Sequence, residues 1–128
     1  MSRAPPRMPQ RVLVVDDEAD ITYALKVGLE GKGFKVDAYN DPTVALSKFR
    51  PGTFDIAILD IRMPKMSGFE LYREMTKVDR KTKILFLTAF DVHREEFEKM
   101  FPDVKVEIFL KKPITIAKLV SRLKELQD

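Results

Sequence analysis

The chain contains no cysteine. Disulfide scaffolds, thiol catalysis and thiolate metal sites are therefore excluded. It has one histidine, His93, which cannot build a multi-histidine metal centre and is expected on a helix surface. Long apolar runs are also missing: none approaches the roughly 18 residues that cross a membrane, and the N-terminus has no apolar stretch of the secretory kind. No membrane insertion and a cytoplasmic location are expected. Nor does one sign of charge dominate. With 23 Lys and Arg against 20 Asp and Glu, the surface reads as balanced rather than as a basic stripe, and direct nucleic-acid binding is not expected.

What is present fits one domain, because 128 residues leave no room for a second core of similar size. Residues 1–10 carry three prolines and two arginines without periodicity. They read as a disordered lead-in, with the domain at 11–128. From Arg11 onward, short apolar runs alternate with stretches of helical period, the pattern of β-α units around a parallel sheet.

Five strands are predicted, at Val12–Val15, Phe34–Tyr39, Phe54–Leu59, Ile84–Leu87 and Val106–Leu110. The first helix aligns Ile21, Ala24, Leu25, Gly28 and Leu29 on one face, and Gly31 and Gly33 stop it. Asp41-Pro42 caps a short second helix running to Phe49. A third helix covers Gly68 to about Val78, a fourth about 92–101, and the last aligns Ile116, Leu119, Val120, Leu123 and Leu126. Strands with uninterrupted apolar interiors belong in the centre of a doubly wound sheet, and the alternating second strand suits an edge.

In such sheets ligands bind beyond the carboxyl ends of the strands. Here the first strand ends in Asp16-Asp17, the third in Asp60, the fourth in Thr88 and the fifth in Lys111-Lys112. Any one polar strand end is explained by its loop. Because parallel strands finish on the same side, however, acid, hydroxyl and amine must converge in one pocket. Two carboxylates about 4 Å apart repel by about 4 kcal/mol at an effective dielectric near 20, so the cluster calls for a cation. Oxygen ligands favour Mg²⁺ or Mn²⁺. A lysine charge and a threonine hydroxyl opposite that metal are what a phosphoryl group needs, with Asp60 as the attacking carboxylate.

Five motifs in register, Val15-Asp16-Asp17, Asp60, Met63-Pro64 with Gly68, Thr88-Ala89 and Lys112-Pro113, resemble the receiver domains of two-component response regulators. The resemblance covers Arg11 to the C-terminus. It implies a flavodoxin-like, five-stranded parallel sheet of order 2-1-3-4-5 with five helices. It further implies that Asp17, Asp60 and the backbone carbonyl of Arg62 ligate Mg²⁺, with Asp16 acting directly or through water. Lys112 would contact a phosphoryl oxygen, Ala89 would leave room for it, and Lys112-Pro113 is a candidate cis bond. Thr88 and Phe109 are the implied switch pair, with phenylalanine where tyrosine is frequent. Arg62 and Phe90 are positions that tune phosphoryl lifetime in such domains.

The implied partners are a sensor histidine kinase and a downstream protein target. The output face would be the fourth helix, fifth strand and fifth helix, charged by Glu95, Glu96, Lys99, Lys118, Arg122 and Lys124, with a homodimer through the same face as one outcome. Such a domain is no enzyme beyond assisting its own phosphorylation and dephosphorylation. Two other readings compete: a receiver-like module that binds partners without phosphate, and a phosphatase of the haloacid dehalogenase type. Those enzymes carry a second aspartate two residues after the nucleophile, where this sequence has Arg62. The chain stops two residues after Leu126, so it is expected either to act through a partner or to be cut from a longer regulator.

Overall fold

Alternate residues of the central strands feed two separate cores. The computed structural model describes residues 10–89, 98–99, 102 and 108–126. In chain order it contains β1 (Arg11–Val15), α1 (Ala19–Glu30), β2 (Lys35–Tyr39), α2 (Pro42–Lys48), β3 (Ile56–Leu59), α3 (Gly68–Val78), β4 (Lys83–Thr88), β5 (Ile108–Lys111) and a C-terminal helix, α4 (Ile116–Glu125). All strand pairs are parallel, in the order β2-β1-β3-β4-β5. The expected order and the edge placement of the second strand are both observed. The expected fourth helix, over 92–101, falls almost entirely outside the described residues, among which there are four helices.

Strand side chains alternate between faces, so β1 sends Val12 and Val14 one way and Leu13 and Val15 the other. Val12, Val14, Ile56, Ile58, Leu85 and Leu87 pack with Leu25 and Leu29 of α1 and Leu119 and Leu123 of α4. Leu13, Val15, Ala57, Leu59 and Phe86 pack with Ala45 of α2 and Leu71 and Met75 of α3. Each fully buried aliphatic side chain is worth about 1.5–3 kcal/mol of transfer free energy, so both layers contribute to holding the strand ends in place.

Local signals set the helix ends. Asp41 accepts a hydrogen bond from the Thr43 backbone N–H at 2.9 Å, with Pro42 at the first helical position. Ser67 and Glu70 form a reciprocal capping box on α3, a Ser-x-x-Glu signature that the apolar periodicity alone did not reveal. Thr115 caps α4. After α1, Gly33 has φ +97° and the Phe34 N–H reaches back to the Leu29 carbonyl at 3.1 Å, closing the helix with a left-handed residue.

Two sequence expectations shift. Ala24 is exposed rather than buried, while Thr22 is buried. Thr22 tolerates burial because its hydroxyl donates to the Ala19 carbonyl and accepts from the Asn40 amide. β3 starts at Ile56, and Phe54 instead stacks its ring on Phe49 with centroids 6.1 Å apart.

Candidate functional site

Strand register builds the site. Val15 pairs with Leu59, and the Asp60 N–H continues that ladder to the Val15 carbonyl at 2.9 Å, which sets Asp16 and Asp60 side by side. On the far side, Thr88 pairs with Lys111, and the Lys112 N–H donates to the Thr88 carbonyl at 2.8 Å. The chain leaves β1 toward β2 on one side and returns to β3 on the other, so the two acids flank the point where strand order reverses.

Asp16, Asp17 and Asp60 each place a carboxylate oxygen within 4.8 Å of the others. Asp16 and Asp60 are buried and Asp17 is exposed. One Asp16 oxygen accepts from the Glu18 N–H at 2.9 Å, and the other meets the Lys112 ammonium at 2.5 Å. One Asp60 oxygen accepts from the Ile61 N–H at 2.8 Å, and the other lies 3.6 Å from the same ammonium. Buried Thr88 hydrogen-bonds to Asp60 through its side chain. The expected convergence of acids, hydroxyl and amine is therefore observed, and Lys112 precedes Pro113 through a cis peptide bond.

Burial pushes the Asp60 carboxyl above its ordinary range, and the neighbouring Asp16 charge adds to the shift against the pull of Lys112. Burial likewise raises Asp16 despite its hydrogen bond from Lys112. Burial opposes the charge on Lys112 too, yet its hydrogen bond to Asp16 and the charges of Asp16, Asp60 and Glu18 hold it above its ordinary value. The two carboxylates and the lysine shift for compatible reasons. Among the described residues, the Lys112 ammonium faces three carboxylates, those of Asp16, Glu18 and Asp60. Three clustered carboxylates are a donor set suited to a hard divalent cation.

The remaining expected residues lie around this cluster. Arg62 is exposed in the loop after β3, and Ala89 is exposed at the end of β4. Phe109 is half-buried and stacks on Phe86, with centroids 5.4 Å apart. Lys99, Lys118 and Lys124 are exposed, and Arg122 pairs with Glu125 at 3.3 Å. Phe90, His93, Glu95 and Glu96 lie outside the described residues.

Three contacts escaped the sequence reading. Glu18 stands 3.7 Å from Lys112. Asn40, at the end of β2, donates to the Asp16 carbonyl at 2.9 Å. The rule that singled out the other strand ends also covers Asn40. Third, Gly68 packs against the end of β3, where an added Cβ would lie 2.1 Å from the Asp60 carbonyl oxygen. Its N–H donates to the Ile61 carbonyl at 2.8 Å, so this glycine lets α3 start directly against the loop.

The fold and site together define a doubly wound α/β domain with an acidic pocket at its switch point. The sequence profile of the response regulator receiver domain matches residues 12–124, and the chain belongs to that family. It is a receiver domain of the two-component signalling type, and the phosphatase alternative is set aside. Among curated relatives, the transcriptional regulatory protein TrcR of Mycobacterium tuberculosis is 34% identical over 118 residues, covering 92% of this chain and 45% of TrcR. The transcriptional regulatory protein PcoR of Escherichia coli is 29% identical over 117 residues, covering 91% of this chain and 51% of PcoR. The chain thus spans about half the length of the curated relatives it matches.

Among solved structures, a CheY-like receiver domain protein from Methanospirillum hungatei superposes with a TM-score of 0.83 at 27% identity, covering 93% of this chain and 94% of that one. The response regulator TrrA of Thermotoga maritima, solved in complex with Mg²⁺-BeF, gives 0.77 at 33% identity, covering 91% and 98%. Among the described residues, no helix is long and apolar enough to cross a membrane.

Proposed function

We propose that Asp60 accepts a phosphoryl group from a sensor histidine kinase in a Mg²⁺-dependent reaction, and that the phosphorylated domain engages a downstream protein. The observation that carries this reading is the position of Asp60. It is buried at the end of a central strand between a second buried acid, a threonine hydroxyl and a lysine ammonium.

Asp16, Asp17, Asp60 and the Arg62 carbonyl would hold the metal, and their oxygen-only chemistry fits Mg²⁺, with Mn²⁺ as a substitute. When bound, the ion offsets the charge of the carboxylates and of the incoming phosphoryl oxygens. A carboxylate oxygen of Asp60 attacks phosphorus, a P–O bond forms, and the P–N bond to the donor histidine breaks with its electron pair going to the imidazole. Lys112 is close enough to turn from Asp16 toward a phosphoryl oxygen, and Ala89 presents no side chain beyond Cβ there.

The new group adds roughly −1.5 to −2 charges. Thr88, already bonded to Asp60, transfers its hydroxyl bond to the phosphoryl oxygens. Phe109 follows, because it shares an aromatic stack with Phe86, two residues before Thr88 on β4. The output face combines the expected fourth helix, β5 and α4, through which partner binding or homodimerisation takes place. Arg62 and Phe90 set how readily water reaches the acyl phosphate.

Intact-mass measurement after incubation with Mg²⁺ and acetyl phosphate tests the chemistry. One added phosphoryl mass is expected, absent in Asp60→Asn and in EDTA. No adduct on the wild type would leave a phosphate-independent interaction module as the reading.

A further inference from the structure

Lys65 has φ +72°, the one non-glycine residue with a left-handed backbone among those described. Glycine takes this conformation far more readily, so the loop holds an unfavourable residue in place. Its side chain is not idle. The ammonium meets Asp41 Oδ2 at 2.6 Å, across 24 positions of sequence.

Asp41 is a prepared anchor. Its other oxygen accepts from the Thr43 N–H at 2.9 Å and the Thr43 hydroxyl at 2.6 Å, and Pro42 beside it is buried. Lys65 and Thr43 together hold the Asp41 carboxyl well below the usual carboxylate range. The acid therefore stays charged and oriented at the rigid start of α2, and little further ordering is needed for Lys65 to bind it.

Topology gives the pair its consequence. Asp41 follows β2 and Lys65 follows β3, the two neighbours of β1. An ion pair joining those two loops passes the end of β1, where Asp16 and Asp17 stand. The loop it restrains begins at Asp60, contains Arg62 and closes at Gly68.

We infer that the Asp41–Lys65 ion pair is a tether that positions the phosphoacceptor loop, and with it the Arg62 carbonyl, for the divalent cation. Both are positioning residues. The inference rests on the Mg²⁺-dependent reading of Asp60, and its test separates the two.

Mg²⁺ affinity is measured by calorimetry, alongside amide exchange of Met66 and Gly68 in EDTA and thermal unfolding, for Lys65→Gln, Asp41→Asn, their double variant and Lys65→Arg. Asparagine keeps the cap on α2, and arginine keeps the charge. Each neutralising change should weaken Mg²⁺ binding about three- to fivefold, the span of a well-placed exposed ion pair. The double variant should be no weaker than either single one, Lys65→Arg should restore binding, and 1 M salt should erase the difference. Amide exchange of the loop should accelerate in both neutralised variants without metal.

Wild-type Mg²⁺ affinity and loop protection retained in both variants would overturn the tether while leaving the reading of Asp60 intact. Effects that add in the double variant, or a change in unfolding temperature alone, would also overturn it. A wild type that binds no Mg²⁺ would overturn the reading of the site and the metal-directed role together; loop exchange would then decide whether the pair restrains the loop at all.

Discussion

Replacing Asp60 with asparagine should stabilise the metal-free domain. Asp60 shares its pocket with Asp16 and Asp17 at oxygen separations of up to 4.8 Å. At an effective dielectric near 20, each such pair repels by about 3–4 kcal/mol, while Lys112 at 3.6 Å returns about 4–5 kcal/mol. Burial of the charge, the largest influence on Asp60, together with the Asp16 repulsion outweighs that attraction and leaves Asp60 a net loss on the order of 2 kcal/mol. Asparagine keeps the shape and one acceptor oxygen but carries no charge. For a domain of this size about 2 kcal/mol corresponds to roughly 6–10 °C in Tm.

The pH dependence has a definite sign. The folded-state pKa of Asp60 is raised from its ordinary 3.8, chiefly by burial and then by Asp16. The proton is therefore held more tightly in the folded state. The resulting stability is fully present below 3.8 and is lost as pH rises through the raised folded value. The gap between Asp60→Asn and wild type should then be full at neutral pH and shrink as pH falls toward 3.8. Thermal melts followed by far-ultraviolet circular dichroism in EDTA, between pH 4 and 8, read this directly. Added Mg²⁺ should close the gap by stabilising the wild type more. An asparagine variant equal to or less stable than wild type at pH 7, or a gap indifferent to pH, would refute the electrostatic account.

The converse change, Lys112→Ala, removes the ammonium that lies 2.5 Å from Asp16 and 3.6 Å from Asp60. A loss of about 2–4 kcal/mol is expected in urea unfolding, partly recovered when Asp60→Asn is combined with it. Two glycines should behave differently under alanine substitution. Gly33→Ala meets nothing within 4 Å and should cost only the left-handed backbone, about 1–2 kcal/mol in equilibrium unfolding. Gly68→Ala forces a Cβ against the Asp60 carbonyl oxygen, so the loop itself must move. It should cost about 2–4 kcal/mol and also slow the phosphoryl uptake read by intact mass.

Much of this molecule was decided by local sequence. The alternation of apolar runs and helical periods yields the β-α units, and Asp41-Pro42 and the glycines after α1 mark helix ends through single-residue chemistry. The site was legible for a geometric reason: parallel strands all finish on one side, so Asp16, Asp60, Thr88 and Lys112 had to meet whatever their separation along the chain. What the pattern left open were the choices among neighbours. That Lys112 sits closer to Asp16 than to Asp60 depends on register and the course of the chain after β5. Thr22 is buried in place of Ala24 because Asn40, from the loop after β2, satisfies its hydroxyl. Asp41 finds Lys65 only because β1 lies between the strands that carry them, and no periodicity along one segment encodes a contact between two loops. Local propensity and strand direction are properties of the chain; partners across the pocket are properties of the packed sheet.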